Sequence, residues 1–541
     1  MRRWNGWGDE SVIGVLPAGG AAAVERVVGS ARPPRDATLT DVLAGVPASR
    51  LPRHRLVADD AEVRVRHARG QSLPDWVALR TGRLGALPDG VAFPNDAGEV
   101  RELLAWATAT GARVVPYGGG TSVVGGVTPA ADGVPWLTIS LAHLAGLSAL
   151  DDGSLLATFG AGTTGPDVEA ALRARSLTLG HYPQSWELST VGGWVAARSS
   201  GQQSAGYGRI EALFAGGTVE APAGTLEMPP HPASAAGPDL RQAILGSEGR
   251  LGILTEAALR VAPLPEVEAF PALILPDWER ALAFTRVLAR ARLPLALVRT
   301  STPAETWTNL ALAGHERTIA VLRRYLTARG AGPGRCMVLL GLVGRRRVMA
   351  ATFAEVLGIA RSFGAVRAPG TIGRQWHRSR FRTPYLRNAL WEAGYAIDTL
   401  ETAVAWDRVP ALAASLAPAI RRGLAAEGER VHAFTHLSHV YPTGSSLYTT
   451  FVFRLADDPD VTLERWRRLK TAASEAIVRL GGTISHQHGV GSDHAAYLAA
   501  EKGELGMAAL GDLTRRFDPA GIMHPGVLLP EPAGAAEIVG P

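Results

Sequence analysis

The chain has 541 residues, of which 46% are hydrophobic and 19% are charged, a profile that excludes an intrinsically disordered protein. The net charge of +5 comes almost entirely from arginines that are interleaved with acidic residues, so we expect no nucleic-acid partner. No apolar run approaches the roughly 20 residues that span a bilayer, and the single Cys336 cannot form an intrachain disulfide; a cytoplasmic location is therefore expected.

Changes in composition divide the chain into four segments and predict an α+β protein with two main domains. The N-terminal segment, 1–86, is irregular and partly helical. A glycine-rich domain, 87–264, is followed by a domain of arginine- and alanine-rich helices with strands, 265–480. The last segment, 481–541, begins with a glycine-punctuated motif and ends in a tail rich in Pro, Gly and Ala.

Short runs with strand alternation or helical spacing predict the regular elements. Strands are predicted at 113–117, 136–139, 155–159 and 447–454, and helices at 100–110 and 166–176. The Pro/Ala/Gly-rich run 221–237 is predicted to be a surface insertion.

Four glycine-rich motifs lie within the domain 87–264. They occupy 116–122 (PYGGGTS), 160–165 (GAGTTG), 189–194 (STVGGW) and 246–252 (GSEGRLG). Glycines let the backbone approach a ligand closely, and successive free N–H groups form a nest suited to a pyrophosphate. One such motif is an ordinary set of turns in most proteins, but four in one domain favour a cofactor site.

The motif at 160–165 also matches the G-x-G-x-x-G pattern of nicotinamide-binding Rossmann folds. That fold needs an acidic residue about 20 positions further on, at the end of a strand. Glu187 lies further away and outside a strand-like run, so the Rossmann fold is the less favoured alternative.

At these motifs the chain resembles the vanillyl-alcohol-oxidase/PCMH superfamily of FAD-binding proteins, and within it the alkyldihydroxyacetonephosphate synthase (alkylglycerone-phosphate synthase) family. The resemblance runs nearly end to end and includes WNGWG at 4–8 and SHQHG at 485–489. It implies a PCMH-type FAD-binding domain of two α/β subdomains, followed by an α+β cap domain that covers the flavin. The C-terminal segment with its His-Gln-His motif is expected to close on the flavin.

The resemblance also implies the residues that bind FAD. Loop 117–122 would hold the pyrophosphate, the turn around 185–193 would line the flavin, and Glu248 with Ile253 would lie near the adenosine. The full predicted set is Pro116, Tyr117, Gly118, Gly119, Gly120, Thr121, Ser122, Ser185, Ser189, Thr190, Gly192, Gly193, Trp194, Glu248, Gly252 and Ile253. Covalent members of the superfamily carry a histidine in the first loop, where this chain has Thr121 and Ser122. Non-covalent FAD is therefore expected.

For catalysis, the resemblance implies that Tyr448 is the acid/base that removes a substrate proton. A phenol with a pKa near 10 needs a cation or hydrogen bonds to do so near neutral pH. Arg387 and Arg299 align with arginines at the substrate phosphate, which guanidinium groups bind bidentately. Thr399 stands where the family has a serine and keeps the hydroxyl.

The family's run of three histidines corresponds here to His486, Gln487 and His488. Paired imidazoles can shuttle protons or hydrogen-bond a reduced flavin, whereas a glutamine exchanges no proton. Because Gln487 departs from the family pattern, alternatives to the family's ether-bond reaction are retained.

Three functions follow from the resemblance. The first is exchange of the acyl group of acyl-dihydroxyacetone phosphate for a fatty alcohol, through a flavin N5 adduct, in ether lipid synthesis. The second is metal-independent FAD-dependent oxidation of a D-2-hydroxy acid, and the third is a non-catalytic flavin-binding subunit. The expected partners are a small molecule bearing phosphate or carboxylate, a second copy of the chain in a homodimer, and a membrane surface contacted peripherally.

No metal is predicted. Metal-dependent hydroxy-acid dehydrogenases carry two histidines and a glutamate where this chain has Tyr441, Tyr448 and Gln487. His432, His436 and His439 form a second cluster, which hydrogen-bonded or solvated histidines explain best. In a regular strand, His432 and His436 share one face and His439 points to the other.

Overall fold

The computed structural model describes residues 1–14, 16, 18–312 and 316–530. The end of the predicted C-terminal tail, 531–541, lies outside the described residues. Among the helices described, none combines the length and the apolar character needed to cross a bilayer.

The first part of the chain forms helices and a small sheet. Its elements are α1 (Ala18–Val28), α2 (Leu39–Ala44), β1 (Val57–Ala58), α3 (Ala61–Arg66), α4 (Leu73–Thr81), β2 (Gly90–Ala92), α5 (Ala97–Thr110), β3 (Arg113–Tyr117) and β4 (Trp136–Ser140). The sheet order is β1-β2-β4-β3, with β2, β4 and β3 parallel and β1 antiparallel. The strands predicted at 113–117 and 136–139 are confirmed. The helix predicted at 100–110 begins earlier, because the Asp96 carboxylate caps α5 by accepting from the Glu99 amide at 2.9 Å.

A second sheet follows, and it is antiparallel throughout. This part contains β5 (Leu147–Asp151), β6 (Leu156–Gly160), α6 (Gly165–Arg173), β7 (Leu177–Thr178), α7 (Val191–Ala197), α8 (Ser204–Tyr207), α9 (Ile210–Leu213), β8 (Phe214–Ala221), β9 (Gly224–Met228), α10 (Arg241–Ile244), β10 (Ile253–Arg260) and β11 (Ala262–Pro263). The strand order is β5-β6-β10-β8-β9, and β11 pairs separately with β7. The strand predicted at 155–159 and the helix predicted at 166–176 correspond to β6 and α6.

This sheet excludes the Rossmann alternative and corrects the prediction of a surface insertion. The G-x-G-x-x-G motif follows β6, which pairs antiparallel with both of its neighbours, so the parallel β-α-β unit of a Rossmann fold is excluded. The predicted surface insertion is wrong in part, because 224–228 form the edge strand β9. That strand is mostly exposed, which explains why its composition resembles a loop.

The second half of the chain is built on one large sheet. Its elements are β12 (Val267–Ala269), β13 (Ala272–Leu275), α11 (Trp278–Arg290), β14 (Leu297–Ser301), α12 (Pro303–Leu312), α13 (Glu316–Ala328), β15 (Cys336–Gly344), α14 (Arg346–Ser362), β16 (Val366–Arg367), α15 (Gly370–Ser379), α16 (Thr383–Glu392), β17 (Tyr395–Ala405), α17 (Val409–Arg422), β18 (His432–Val440), β19 (Gly444–Arg454), α18 (Pro459–Arg479) and α19 (Ala499–Phe517). The eight-stranded sheet has the order β16-β13-β15-β14-β18-β19-β17, and β12 also pairs with β15. The strand predicted at 447–454 is confirmed within β19.

Strand alternation gives this sheet two different faces. One face is covered by helices: Leu447 and Phe451 of β19 pack in the core with Leu412 of α17 and Leu469 of α18. The intervening residues point to the other face, toward the first half of the chain. After α19 the chain returns to the first sheet, where the His524 amide donates to the carbonyl of Val114 at 2.9 Å. The protein is therefore an α+β molecule in which one face of the large sheet lies over the glycine-rich half.

Candidate active site

A cavity of about 1240 Å³ lies between the glycine-rich loops and the free face of the large sheet. On one side its walls are loops of the first half of the chain. On the other side they are alternate residues of β14, β17, β18 and β19. The resulting site is enclosed between two structural units, a common position for a ligand site.

The first glycine loop follows β3 directly and presents unpaired backbone N–H groups. No described residue accepts a hydrogen bond from the amides of Gly118, Gly119 or Gly120. Only glycine fits here: a Cβ on Gly119 would lie 1.8 Å from the carbonyl oxygen of Leu188, and Gly120 has a φ of +60°. The loop is thus a concave set of donors suited to an anion.

The turn that includes Ser189 and Thr190 packs against this loop and continues the cavity wall. Thr190 caps α7 by accepting from the Gly193 amide, and Trp194 donates its indole N–H to the Ser189 hydroxyl at 2.8 Å. Ser200 and Gln202 also line the cavity, where the Ser200 Oγ and the Gln202 Oε1 are buried without a hydrogen-bond partner. Buried polar atoms without partners are rare, and these fit the polar edges of a bound flavin.

The predicted FAD residues all line this cavity except Tyr117. The side chain of Tyr117 lies beneath the glycine loop, with its hydroxyl 3.4 Å from the carbonyl oxygens of Arg66 and Arg69, so it supports the loop. Glu248 lines the cavity, but its carboxylate accepts hydrogen bonds from the amides of Val490 and Gly491, at 2.6 and 2.7 Å. It therefore also ties the fourth glycine motif to the C-terminal segment.

Tyr448 lies on the free face of β19, where it contacts His436 and two of the other predicted catalytic residues, His488 and Thr399. Its ring stacks on His436 at 5.0 Å and meets His488 edge-on at 5.6 Å. Burial raises the pKa of the Tyr448 phenol to about 12, although a hydrogen bond with Thr399 and the charge of Arg299 act in the opposite direction. The phenol is therefore protonated near neutral pH.

Arg387 and Arg299 both line the cavity, Arg387 from α16 and Arg299 from β14. The guanidinium of Arg387 lies 4.3 Å from the ring centre of Trp76 and donates to the carbonyl of Gln71, while its Nη2 is buried without a partner. Burial lowers the pKa of Arg387 to about 10, which still leaves the group charged at neutral pH. A buried guanidinium nitrogen without a partner is a ready donor for an anionic ligand.

Arg299 belongs to a buried charge cluster with a glutamate and a histidine that sequence analysis did not assign to the site. Its Nη2 donates to Glu305 Oε1 at 2.7 Å, and His436 Nδ1 lies 2.9 Å from Glu305 Oε2. Burial alone would raise the pKa of Glu305, but the charges and hydrogen bonds of His436 and Arg299 lower it to about 2. The carboxylate is therefore ionised at any physiological pH.

His486 is the one predicted catalytic residue whose side chain does not line the cavity. Its Nε2 hydrogen-bonds the Tyr441 hydroxyl at 2.7 Å, and its Nδ1 lies 3.4 Å from Glu401 Oε1. Gln487, which does line the cavity, donates to the other oxygen of Glu401. Gln487 thus replaces an imidazole with an amide that orients the buried carboxylate, and His486 contacts the same carboxylate from outside the cavity lining.

A β-bulge corrects the expected orientation of His439. The register of β18 against β19 shifts between Leu437 and Val440, so His439 reaches the cavity side instead of pointing away. Its ring stacks on His486 at 5.1 Å, and ligand atoms of His439, His486 and Glu401 lie within 4.8 Å of one another. Hydrogen bonds already occupy both oxygens of Glu401, from the Ser446 hydroxyl and from Gln487. The expectation that the site holds no metal stays a prediction.

Sequence analysis missed Glu305, His436, Ser200 and Gln202 as cavity residues. For His436 a signal existed, because the sequence places it in a cluster of three histidines, His432, His436 and His439. Glu305 gave none, since a glutamate in the first turn of a helix is usually a solvated residue that favours the helix dipole.

Comparison with known proteins agrees with this arrangement. The "FAD binding domain" family matches residues 88–228, and the "FAD linked oxidases, C-terminal domain" family matches residues 264–528. The alkyldihydroxyacetonephosphate synthase of Caenorhabditis elegans is 30% identical over 477 residues, which cover 86% of this chain and 80% of the relative. This chain belongs to the alkyldihydroxyacetonephosphate synthase family.

A second relative agrees with this assignment in sequence, and a solved structure shows the same fold. The alkyldihydroxyacetonephosphate synthase of Trypanosoma brucei brucei is 29% identical over 487 residues, 88% of this chain and 79% of the relative. A solved alkyldihydroxyacetonephosphate synthase, crystallised in P1, shares the fold with a TM-score of 0.81 at 23% identity, over 96% of this chain and 98% of that chain. Like these relatives, the chain is an enzyme of the FAD-linked oxidase type, with FAD as its cofactor and a small-molecule substrate.

Proposed function

We propose that the protein exchanges the acyl group of acyl-dihydroxyacetone phosphate for a fatty alcohol, the reaction class that gives ether lipids. The observation that carries this proposal is the division of one cavity into a cationic end and an apolar arm. A substrate with a phosphate at one end and a long hydrocarbon chain at the other needs both. The names of the family members point in the same direction.

The cationic end is formed by Arg299 and Arg387, which line the same cavity as Tyr448. Each guanidinium is partly or wholly buried, so a phosphate there would be held in a low-dielectric setting where charge-assisted hydrogen bonds are strong. Arg387 offers an unpartnered nitrogen, whereas Arg299 is already anchored by Glu305. We assign Arg387 as the principal phosphate ligand and Arg299 as the second.

The apolar arm leads away from Tyr448 between α1, α12, α16 and the end of the large sheet. Its lining is aliphatic or aromatic, contributed by Val24, Val28, Leu312, Leu390, Ile397, Phe434 and Val452. Burial of a hydrocarbon chain stabilises a complex by about 0.8 kcal/mol per methylene group. The arm is therefore suited to a fatty acyl or alkyl chain and offers little to a small hydroxy acid.

FAD fits the remaining part of the cavity. The unpaired amides of loop 118–120 would hold its diphosphate, and Ser189, Ser200 and Gln202 would meet polar edges of the flavin. When bound, the flavin supplies an electron-accepting ring that can take up and return an electron pair without net oxidation. With Thr121 and Ser122 in the loop where covalent members carry histidine, we propose that the cofactor dissociates on denaturation.

A stopped-flow experiment on the FAD-loaded protein tests the proposal. Mixing with acyl-dihydroxyacetone phosphate should bleach the flavin absorbance without oxygen consumption, and a fatty alcohol should then restore the colour and release alkyl-dihydroxyacetone phosphate. Bleaching by a D-2-hydroxy acid instead would overturn the proposal in favour of hydroxy-acid oxidation. No response to either compound would indicate a non-catalytic flavin-binding protein.

A further inference from the structure

Glu305 and His436 form a carboxylate–imidazole pair on the wall of the cavity. Glu305 is in the first turn of α12, and that turn is fixed to β18 because the Thr302 hydroxyl donates to the Thr435 carbonyl at 2.7 Å. His436 stands on the free face of β18, opposite Tyr448 in the register of β18 and β19. Glu305 and His436 are 1% and 6% exposed, so their contact is shielded from bulk water.

This contact fixes the tautomer of His436. Nδ1 of His436 has two neighbours, Glu305 Oε2 at 2.9 Å and Arg299 Nη2 at 3.4 Å. The carboxylate contact is the shorter one, and Arg299 Nη2 donates to Glu305 Oε1 at 2.7 Å instead. An ionised carboxylate only accepts hydrogen bonds, so Nδ1 carries the proton. In a neutral imidazole that is protonated at Nδ1, the other ring nitrogen, Nε2, carries the lone pair and is an acceptor. No described residue hydrogen-bonds Nε2, and the ring lines the cavity. The imidazole is therefore oriented as a general base toward the substrate space.

We propose that the Glu305–His436 pair is the general base that deprotonates the incoming fatty alcohol. This inference rests on the proposed function. As the alcohol oxygen bonds to the substrate carbon, its O–H bond breaks and the proton moves to Nε2 of His436. The fatty acid has left as a carboxylate with the electron pair of the broken ester C–O bond, and the imidazolium afterwards returns the proton to that carboxylate or to water. One C–O bond breaks, one forms, and there is no net redox change.

The surroundings support the assignment of His436 as the base and Glu305 as the residue that positions it. Burial, followed by the charge of Arg299, lowers the pKa of His436, so the imidazole is neutral and able to accept a proton. Glu305 then stabilises the imidazolium once it forms, as a positioning residue that never touches substrate. Tyr448, whose phenol is protonated, can donate a proton in the resting site, whereas the predicted removal of a substrate proton requires the phenol to lose its own first. His488 also faces Tyr448, but it has no hydrogen-bonded carboxylate among the described residues.

The half-reactions of the FAD-loaded protein separate this role from a structural one. His436→Asn keeps a side-chain N–H for Glu305 and removes the base. We expect bleaching by acyl-dihydroxyacetone phosphate within about twofold of the parent, and recovery of colour with fatty alcohol slowed by about 100-fold. His436→Ala should show the same split, and added imidazole should accelerate its recovery by at least about tenfold by filling the space left by the ring.

His54→Asn is the matched control, because His54 forms a similar pair with Glu102, 3.2 Å apart, and neither residue lines the cavity. It should leave both half-reactions unchanged. Recovery in His436→Asn within threefold of the parent, or equal slowing of both half-reactions, overturns the assignment of the base. If the parent protein itself does not bleach with acyl-dihydroxyacetone phosphate, the proposed function fails, and this inference fails with it.

Discussion

Tyr448 and His436 stand opposite each other on neighbouring strands, with their ring centres 5.0 Å apart and their planes 19° apart. Burial raises the pKa of the phenol and lowers that of the imidazole, because it disfavours the charged form of each. The two groups are therefore a protonated acid and a neutral base at the same pH. Such a divergence between neighbouring titratable groups is the usual basis of acid–base assignments in enzymes.

Replacement of Tyr448 by phenylalanine should remove this proton donor and leave the cofactor site intact. Since the phenol lies on the large sheet and not in the glycine loops, FAD should bind with unchanged affinity. We expect turnover with acyl-dihydroxyacetone phosphate to fall by about 100-fold or more. The flavin spectrum and steady-state kinetics measure both effects. Tyr325→Phe, on the exposed side of α13, is the control and should keep full turnover. Retained turnover in Tyr448→Phe would show that Tyr448 takes no part in the mechanism.

Replacement of Arg387 by lysine should weaken substrate binding more than the chemical step. A lysine keeps the charge but loses the planar fork and the stacking on Trp76. Loss of one charge-assisted hydrogen bond costs about 1.5–3 kcal/mol, so KM should rise by roughly 10- to 100-fold. Arg382→Lys, at the exposed start of α16, should leave KM unchanged. An unaltered KM in Arg387→Lys would show that the phosphate is bound elsewhere.

The glycine motifs indicated which loops of the first half line the cavity, because their requirement for close backbone approach is visible in the sequence as glycine. That these residues bind FAD stays a prediction. Gly119 has no space for a Cβ, and this requirement is visible as a glycine in the sequence. Tyr117 is the exception: alternation along β3 turns its ring beneath the loop.

The part of the site formed by the second half of the chain was harder to predict from the sequence. Strand pairing there brings together residues that are far apart along the chain. Glu305 contacts His436 across 131 positions, and no local pattern in either segment indicates this contact. The orientation of His439 depends on a bulge, which reverses the faces expected from regular alternation. Strand register and irregularities in it are set by tertiary packing, so sequence periodicity alone could not place these side chains.

Replacement of Gly119 by alanine should abolish FAD binding. The added methyl group would lie 1.8 Å from the Leu188 carbonyl oxygen, which forces the loop away from the turn that precedes α7. Overpacking of this kind costs typically about 1–3 kcal/mol, and here it also displaces the diphosphate donors. Gly332→Ala is the matched control, since a Cβ there has no neighbour within 4 Å. Flavin titration should show loss of binding in Gly119→Ala and unchanged binding in Gly332→Ala.

Acid should destabilise the fold through buried neutral histidines. Burial lowers the pKa of His524 to about 4. Between pH 6.5 and pH 4, His524 is therefore neutral in the folded chain but protonated in the unfolded chain, where its pKa is near 6.5. The stability that His524 contributes is therefore complete above pH 6.5 and is lost as the pH falls toward 4, by about 2 kcal/mol at pH 5. His181, with a pKa lowered by burial to about 3, acts in the same direction.

The variant His524→Asn should make this dependence shallower. Asparagine tolerates the backbone φ of +40° at this position and does not titrate. Urea unfolding with saturating FAD at pH 7 and pH 5 measures the difference. The variant should lose about 2 kcal/mol less than the parent between these two pH values, whereas His231→Asn, in the exposed loop after β9, should match the parent. An equal loss in all three proteins would show that His524 takes up its proton without unfolding, and that the acid sensitivity arises elsewhere.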